Sequence, residues 1–137
     1  MRFIIMVRAT AASEAGKMPE EALLASMAAY HEALQKAGVL LDASGLQPSA
    51  NGWRVRYANG GRTVTEGPFA ETRELIAGYT VIQVRSRDEA MEWARRFPAP
   101  FGEEAEGEIE VRQMFDLDDF EPSRSMERFR KIERANH

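Results

Sequence analysis

The 137-residue sequence contains no cysteine, which excludes disulfides, thiolate nucleophiles and thiolate metal sites. It also lacks a long apolar run. Arg2 is followed by FIIMV and the stretch breaks at Arg8, too short for the apolar segment of a secretory signal or a membrane span. A cytoplasmic protein that does not cross a membrane is expected. Basic charge is not in excess either: the formal net charge is −4, so direct nucleic-acid binding, which would need a basic face, is not expected. Other signatures are missing too. Ser44, Ser49 and Thr72 stand in no G-x-S-x-G elbow, and Gly60 and Gly61 lie in a hairpin turn rather than a phosphate loop.

What is present is the composition of a globular domain, 44% hydrophobic and 29% charged, in a chain of one-domain length. A domain is expected over residues 1–116, followed by a charged tail over 117–137. The pattern along the chain is consistent. Arg2 to Val7 is nearly all apolar and reads as a central strand covered on both faces. Ala9 to Lys17 reads as a loop. Pro19, with Glu20 and Glu21, opens a helix whose buried stripe is Leu23, Met27, Tyr30 and Leu34 and which Gly38 ends.

Val39 to Leu46 reads as a strand with Asp42 and Ser44 interrupting one face. Trp53, Val55 and Tyr57 alternate with Arg54 and Arg56 in a half-exposed strand, and Asn59-Gly60 is a hairpin signal leading into Arg62 to Thr65. After Gly67 and Pro68 the composition of Ala70 to Ala77 predicts a short helix, stopped by Gly78, with Tyr79 opening the next strand. Ser86 and Glu89 read as a capping box for a second helix carrying Ala90, Trp93, Ala94 and Phe97. Glu108 to Phe115 is a final alternating strand. Met126, Phe129 and Ile132 give the tail a narrow helical stripe.

The order β, α, β, inserted hairpin, β, α, β is that of a ferredoxin-like split βαβ fold. Two helices cover one sheet face only, so the apolar residues of Arg2 to Val7 and Tyr79 to Val84 on the other face need a cover. A homodimer packed sheet against sheet, of the dimeric α+β barrel type, supplies it.

The stretch TVTEGPFAETRELIAGY, Thr63 to Tyr79, carries the most distinctive turn. Gly67 before Pro68 is expected to use φ > 0, so that Glu66, Gly67 and Pro68 form a fixed structural turn. Glu66, Glu71 and Glu74 could offer oxygens to a metal, but no histidine or cysteine accompanies them at ligand spacing, and no metal or cofactor is expected. His31 lies roughly 80° from the middle of the helix stripe, at the border of the buried face. It becomes a candidate general base only if Asp42 comes within reach to orient it. His31 and Asp42 are therefore the catalytic candidates.

The ligand-binding candidates are Tyr30, Gln47, Phe69, Glu71, Tyr79 and Arg112, with Arg112 as a carboxylate clamp. Together they describe a cleft for a small carboxylate-bearing or phenolic molecule. Residue patterns alone do not decide whether the protein is an enzyme.

The blocks AGVLL (37–41), GLQPS (45–49), VTEGPFAET (64–72), IAGY (76–79), DEAMEWA (88–94) and EIEVRQ (108–113) resemble the YCII-related family, in particular the branch named for its DGPF motif. Glu66 stands where the motif has Asp. The resemblance implies a dimeric ferredoxin-like subunit with a cleft near the interface and no generally assigned reaction. It also implies an alternative, a regulatory or accessory role linked to an alternative sigma factor. The histidine suspected of catalysis in related branches would fall near Met27, one turn before His31, so that dyad does not transfer.

Overall fold

The computed structural model describes residues 1–136; His137 of the expected tail lies outside them. Four strands, β1 (Arg2–Arg8), β2 (Leu40–Gly45), β5 (Ile76–Gln83) and β6 (Ile109–Gln113), form an antiparallel sheet in the order β2-β5-β1-β6. β5 lies between β1 and β2 and so splits the first βαβ unit. β1 likewise lies between β5 and β6 and splits the second, an α+β order consistent with a ferredoxin-like arrangement. β3 (Trp53–Ala58) and β4 (Gly61–Glu66) pair only with each other. Asn59 and Gly60 between them have φ of 52° and 76°, the two left-handed residues of a type I′ turn.

α2 (Glu21–Lys36) and α3 (Arg87–Arg95) cover one sheet face. Their apolar sides meet Phe3, Ile5, Val39, Ile82 and Val84 in a core with Tyr30, Leu34, Ala90 and Trp93. Ile5, Leu34 and Ile82 are wholly buried. α2 ends in a Schellman motif: Gly38, at φ 76°, donates to the Gln35 carbonyl while Val39 donates to that of Leu34, which satisfies two otherwise orphaned carbonyls. α3 starts at Ser86, whose hydroxyl accepts from the Glu89 N–H, although the Glu89 carboxylate reaches back to the Arg85 N–H rather than to Ser86.

Several local expectations are corrected. Ala70 to Ala77 is not a helix. Only Thr72–Glu74 makes a single 3-10 turn, and β5 begins at Ile76. Pairing with β1 outweighs helix propensity there: Arg8 pairs with Ile76, Val7 with Gly78, and Ala9 donates to the Leu75 carbonyl. Gly78 is thus buried inside a strand rather than a helix stop, and Tyr79 sits in the strand interior.

The segment read as a loop before α2 contains a one-turn helix, α1 (Ala11–Glu14), held by reciprocal Thr10 and Ser13 bonds. α2 itself starts at Glu21, after Pro19. β1 is central, but only its helix-side residues Phe3 and Ile5 are buried, while Ile4 and Met6 opposite stay partly exposed. β3 and β4 are exposed along their whole length, beyond the half-exposure that alternation suggested.

The tail forms α4 (Arg124–Ala135), capped by the Ser123 hydroxyl. Arg130 ties it to Asp118 at 2.7 Å, while Phe129 and Ile132 remain exposed.

Tyr30 is the polar keystone of the core. It is 6% exposed, its hydroxyl donates to the Trp93 carbonyl at 2.7 Å, and burial pushes its pKa up to about 12. The unfolded chain therefore ionises Tyr30 first. Stability from this group is complete below about pH 10 and falls as pH rises to about 12, by on the order of 2 kcal/mol. Urea denaturation across that range should show the loss in the wild type and a much shallower one in Tyr30→Phe, at a cost of about 1 kcal/mol at neutral pH.

Candidate functional site

Side chains alternate across a strand, so the ladder register decides which candidates share a face. Asp42 pairs with Val81, Val81 with Ile4, and Ile4 with Arg112. These four residues form one row across the sheet, on the face away from α2 and α3. The neighbouring row runs Ser44, Tyr79, Met6 and Glu110. The open face thus has an apolar middle, Ile4, Met6 and Val81, with polar groups at both edges.

At the β2 edge the Tyr79 hydroxyl donates to Asp42 Oδ2 at 2.9 Å, and Asp42 Oδ1 accepts from the Ala43 N–H at 2.9 Å. The hydrogen bond to Asp42, reinforced by its negative charge, raises the Tyr79 pKa. Tyr79 is thereby held as a donor rather than a phenolate. At the β6 edge Glu110 accepts from Arg8 and lies 3.5 Å from the Arg112 guanidinium. The Arg112 side chain is 71% exposed.

Asp42 and Arg112 share a face but not a pocket. Three interstrand steps put them on the order of 14 Å apart, and the side chains of Val81 and Ile4 stand between them. A cleft bounded by both within one chain is not present.

His31 and Asp42 are not brought together either. His31 Nδ1 donates to the Met27 carbonyl at 2.7 Å, and Nε2 lies 2.8 Å from the Thr80 hydroxyl. Thr80 is 2% exposed and points to the helix side of β5, whereas Asp42 is on the other side. With Nδ1 as donor, Nε2 is left to accept from Thr80, so the ring satisfies a buried hydroxyl. Edge contacts to Tyr30 and Phe97 hold it there. Tyr30, expected to touch ligand, is a core residue.

The remaining candidates lie on the loops. Gln47 accepts from the Asn51 amide at 2.8 Å, and Glu71 is exposed. Phe69 lies under the Arg54 guanidinium, whose Cζ is 3.9 Å from the centroid of the Phe69 ring, a cation–π stack. Gly67 and Pro68 are joined by a cis peptide bond, and Gly67 is not among the left-handed residues.

Its constraint is space: a Cβ at Gly67 would stand 1.9 Å from the Ser49 carbonyl oxygen. Gly67 also donates to Gly52 O at 3.0 Å. The junction is completed by Glu14, whose carboxylate accepts from the Ser49 N–H at 2.8 Å and from its hydroxyl, while Ser49 Oγ accepts from Phe69 N at 3.0 Å. Sequence reasoning missed Glu14, Ser49 as an anchor, Arg54 and Thr80. Only Ser49 carried a signal, through its place in the GLQPS block.

The profile of the YCII-related domain matches residues 1–118. The chain belongs to the YCII-related family. An uncharacterized protein of Rhizobium meliloti (strain 1021) is 33% identical over 79 residues, which cover 58% of this chain and 64% of the relative. The chain thus spans less than two thirds of that relative's length. The matched domain includes every residue of the open face and of the Glu14–Ser49–Phe69 junction, and it ends before α4. Among the described residues no three of His, Cys, Asp or Glu gather closely enough to hold a metal ion, and no helix is long and apolar enough to cross a membrane.

Because the Gly67 contact is with backbone, which cannot swing away as a flexible side chain can, Gly67→Ala should destabilise this YCII-related domain by on the order of 1 to 3 kcal/mol. Thermal denaturation measures it, and an unchanged Tm would show that the 47–52 loop yields.

Proposed function

We propose that this YCII-related protein, of the DGPF-motif branch, is a cytoplasmic homodimer of the dimeric α+β barrel type, with residues 1–116 as its domain. Its open sheet face binds, at Asp42 and Tyr79, a small carboxylate-bearing or phenolic molecule. The observation that carries this reading is the Tyr79 to Asp42 hydrogen bond on a sheet face that is otherwise apolar at its centre. A mostly apolar surface with a few convergent polar groups is the ordinary form of a small-molecule site.

The chemistry follows from the two groups. Each Asp42 oxygen already accepts one bond, from Tyr79 or from Ala43, which fixes the carboxylate and leaves further lone pairs for a ligand O–H. Tyr79, kept protonated, both positions Asp42 and offers its own oxygen as an acceptor. Asp42 is then the group that accepts a hydrogen bond from a ligand O–H. Gln47, Phe69 and Glu71, on loops flanking β2 and β5, are assigned to the rim. His31 is left out, because both of its nitrogens are occupied on the far side of the sheet.

A second reading is supported by α4, which carries five basic and two acidic residues and leaves Phe129 and Ile132 exposed. That is the surface of an accessory protein that works through a partner, such as an alternative sigma factor, without catalysis of its own.

Titration of a panel of hydroxybenzoic and small hydroxy acids, followed by NMR shifts, tests the first reading. Binders should shift Tyr79 and Val81 amides and lose at least about tenfold in affinity, roughly 1.4 kcal/mol, in Asp42→Asn. His31→Ala should leave affinity unchanged. A panel that moves no open-face resonance would sink the reading and favour the accessory role.

A further inference from the structure

We infer that the open-face site is completed in trans: Arg112 of the partner subunit faces Asp42 and Tyr79, so that each dimer holds two equivalent sites. This rests on the homodimer reading above and adds to it the direction of the two-fold axis and the residue that the partner contributes.

The row Asp42, Val81, Ile4, Arg112 crosses the whole open face. Its ends carry opposite charges and its middle is apolar. A face-to-face homodimer is isologous, so the same row meets itself under a two-fold axis lying between the two sheets. An axis across the strands would set Asp42 over Asp42 of the partner subunit and Arg112 over Arg112 of the partner subunit, stacking like charges. An axis along the strands, between β5 and β1, reverses the row. Asp42 then lies opposite Arg112 of the partner subunit, and Val81 lies opposite Ile4 of the partner subunit.

The next row agrees. Reversal brings Tyr79 over Met6 of the partner subunit and Ser44 over Glu110 of the partner subunit, a hydroxyl against a carboxylate.

Distance also favours the arrangement. Within one chain about 14 Å of sheet separates Asp42 from Arg112, whereas facing sheets pack about 10 Å apart, a gap that an arginine and an aspartate reach across. Arg112 is available for it, since among the described residues it pairs only with Glu110, at 3.5 Å, and its side chain is 71% exposed. The completed site presents a carboxylate and hydroxyl on one wall and a two-donor guanidinium on the other. Beside that pair it fits a small molecule whose carboxylate takes guanidinium donors of Arg112 of the partner subunit that Asp42 leaves free and whose O–H reaches a free lone pair of Asp42.

Charge reversal with mixing tests this on the full chain. Wild type should sediment as a dimer at micromolar concentration, and Asp42→Arg and Arg112→Asp should each raise the dimer dissociation constant at least tenfold. An equimolar mixture of the two variants should form heterodimers near wild-type affinity, because both trans pairs are then opposite in charge. A mixture no tighter than the separate variants, with wild type still dimeric, overturns the trans pairing and leaves the dimer standing. A monomeric wild type overturns both. If a reversal variant fails to fold, Asp42→Asn, Arg112→Gln and their double variant form the alternative cycle. The double variant should then weaken the dimer no more than either single one, and additive losses would overturn the pairing.

Discussion

The insertion of β5 between β1 and β2 is the constraint on which the rest depends. It pairs along almost its whole length on both sides, Ile76 to Gln83 with β1 and Gly78 to Ile82 with β2. Each of its side chains is thereby assigned to a face. Thr80 and Ile82 go to the helices, and Tyr79 and Val81 go to the open side. β2 comes close at Gly78, where a Cβ would stand 3.1 Å from the Ser44 carbonyl oxygen. A register slip of one residue would exchange the two sets and bury Tyr79 in place of Thr80.

From that threading come two polar pairs with different roles. On the helix side, His31 answers a threonine hydroxyl that would otherwise be buried without a partner, an omission costing on the order of 1 to 3 kcal/mol. On the open side, Tyr79 and Asp42 make a bond in reach of solvent, where a ligand or another surface can compete for it. The histidine that sequence logic offers first as a proton carrier is thus spent on the core. At the β2 edge of the open face the bonded pair is a tyrosine and an aspartate.

The Glu14–Ser49–Phe69 junction fixes the approach to β5. α1, the 49–51 turn and the chain after β4 are far apart in sequence, and one serine joins all three. It fixes where β4 ends and how the chain turns toward Thr72 and into β5. Arg54 reaches across from β3 to cover Phe69, so the exposed hairpin is oriented by the same junction. The turn at Gly67 and Pro68 is a device for entering β5 in the correct register.

The sequence by itself determined the class of the domain, its two long helices, the edges of most strands and the αL positions at Gly38, Asn59 and Gly60. These follow from local periodicity, capping and turn chemistry, which act over a few residues. The family blocks were legible too, because they are contiguous. Tertiary structure decided the rest. Ala70 to Ala77 has helical composition and became a strand because β1 offered its backbone a ladder. Gly67 was readable as indispensable, but its reason, the Ser49 carbonyl pressed against it, comes from a residue eighteen positions away. Whether His31 could meet Asp42 turned on the face of the sheet each occupies. That is set by register between strands, and no short-range pattern encodes it.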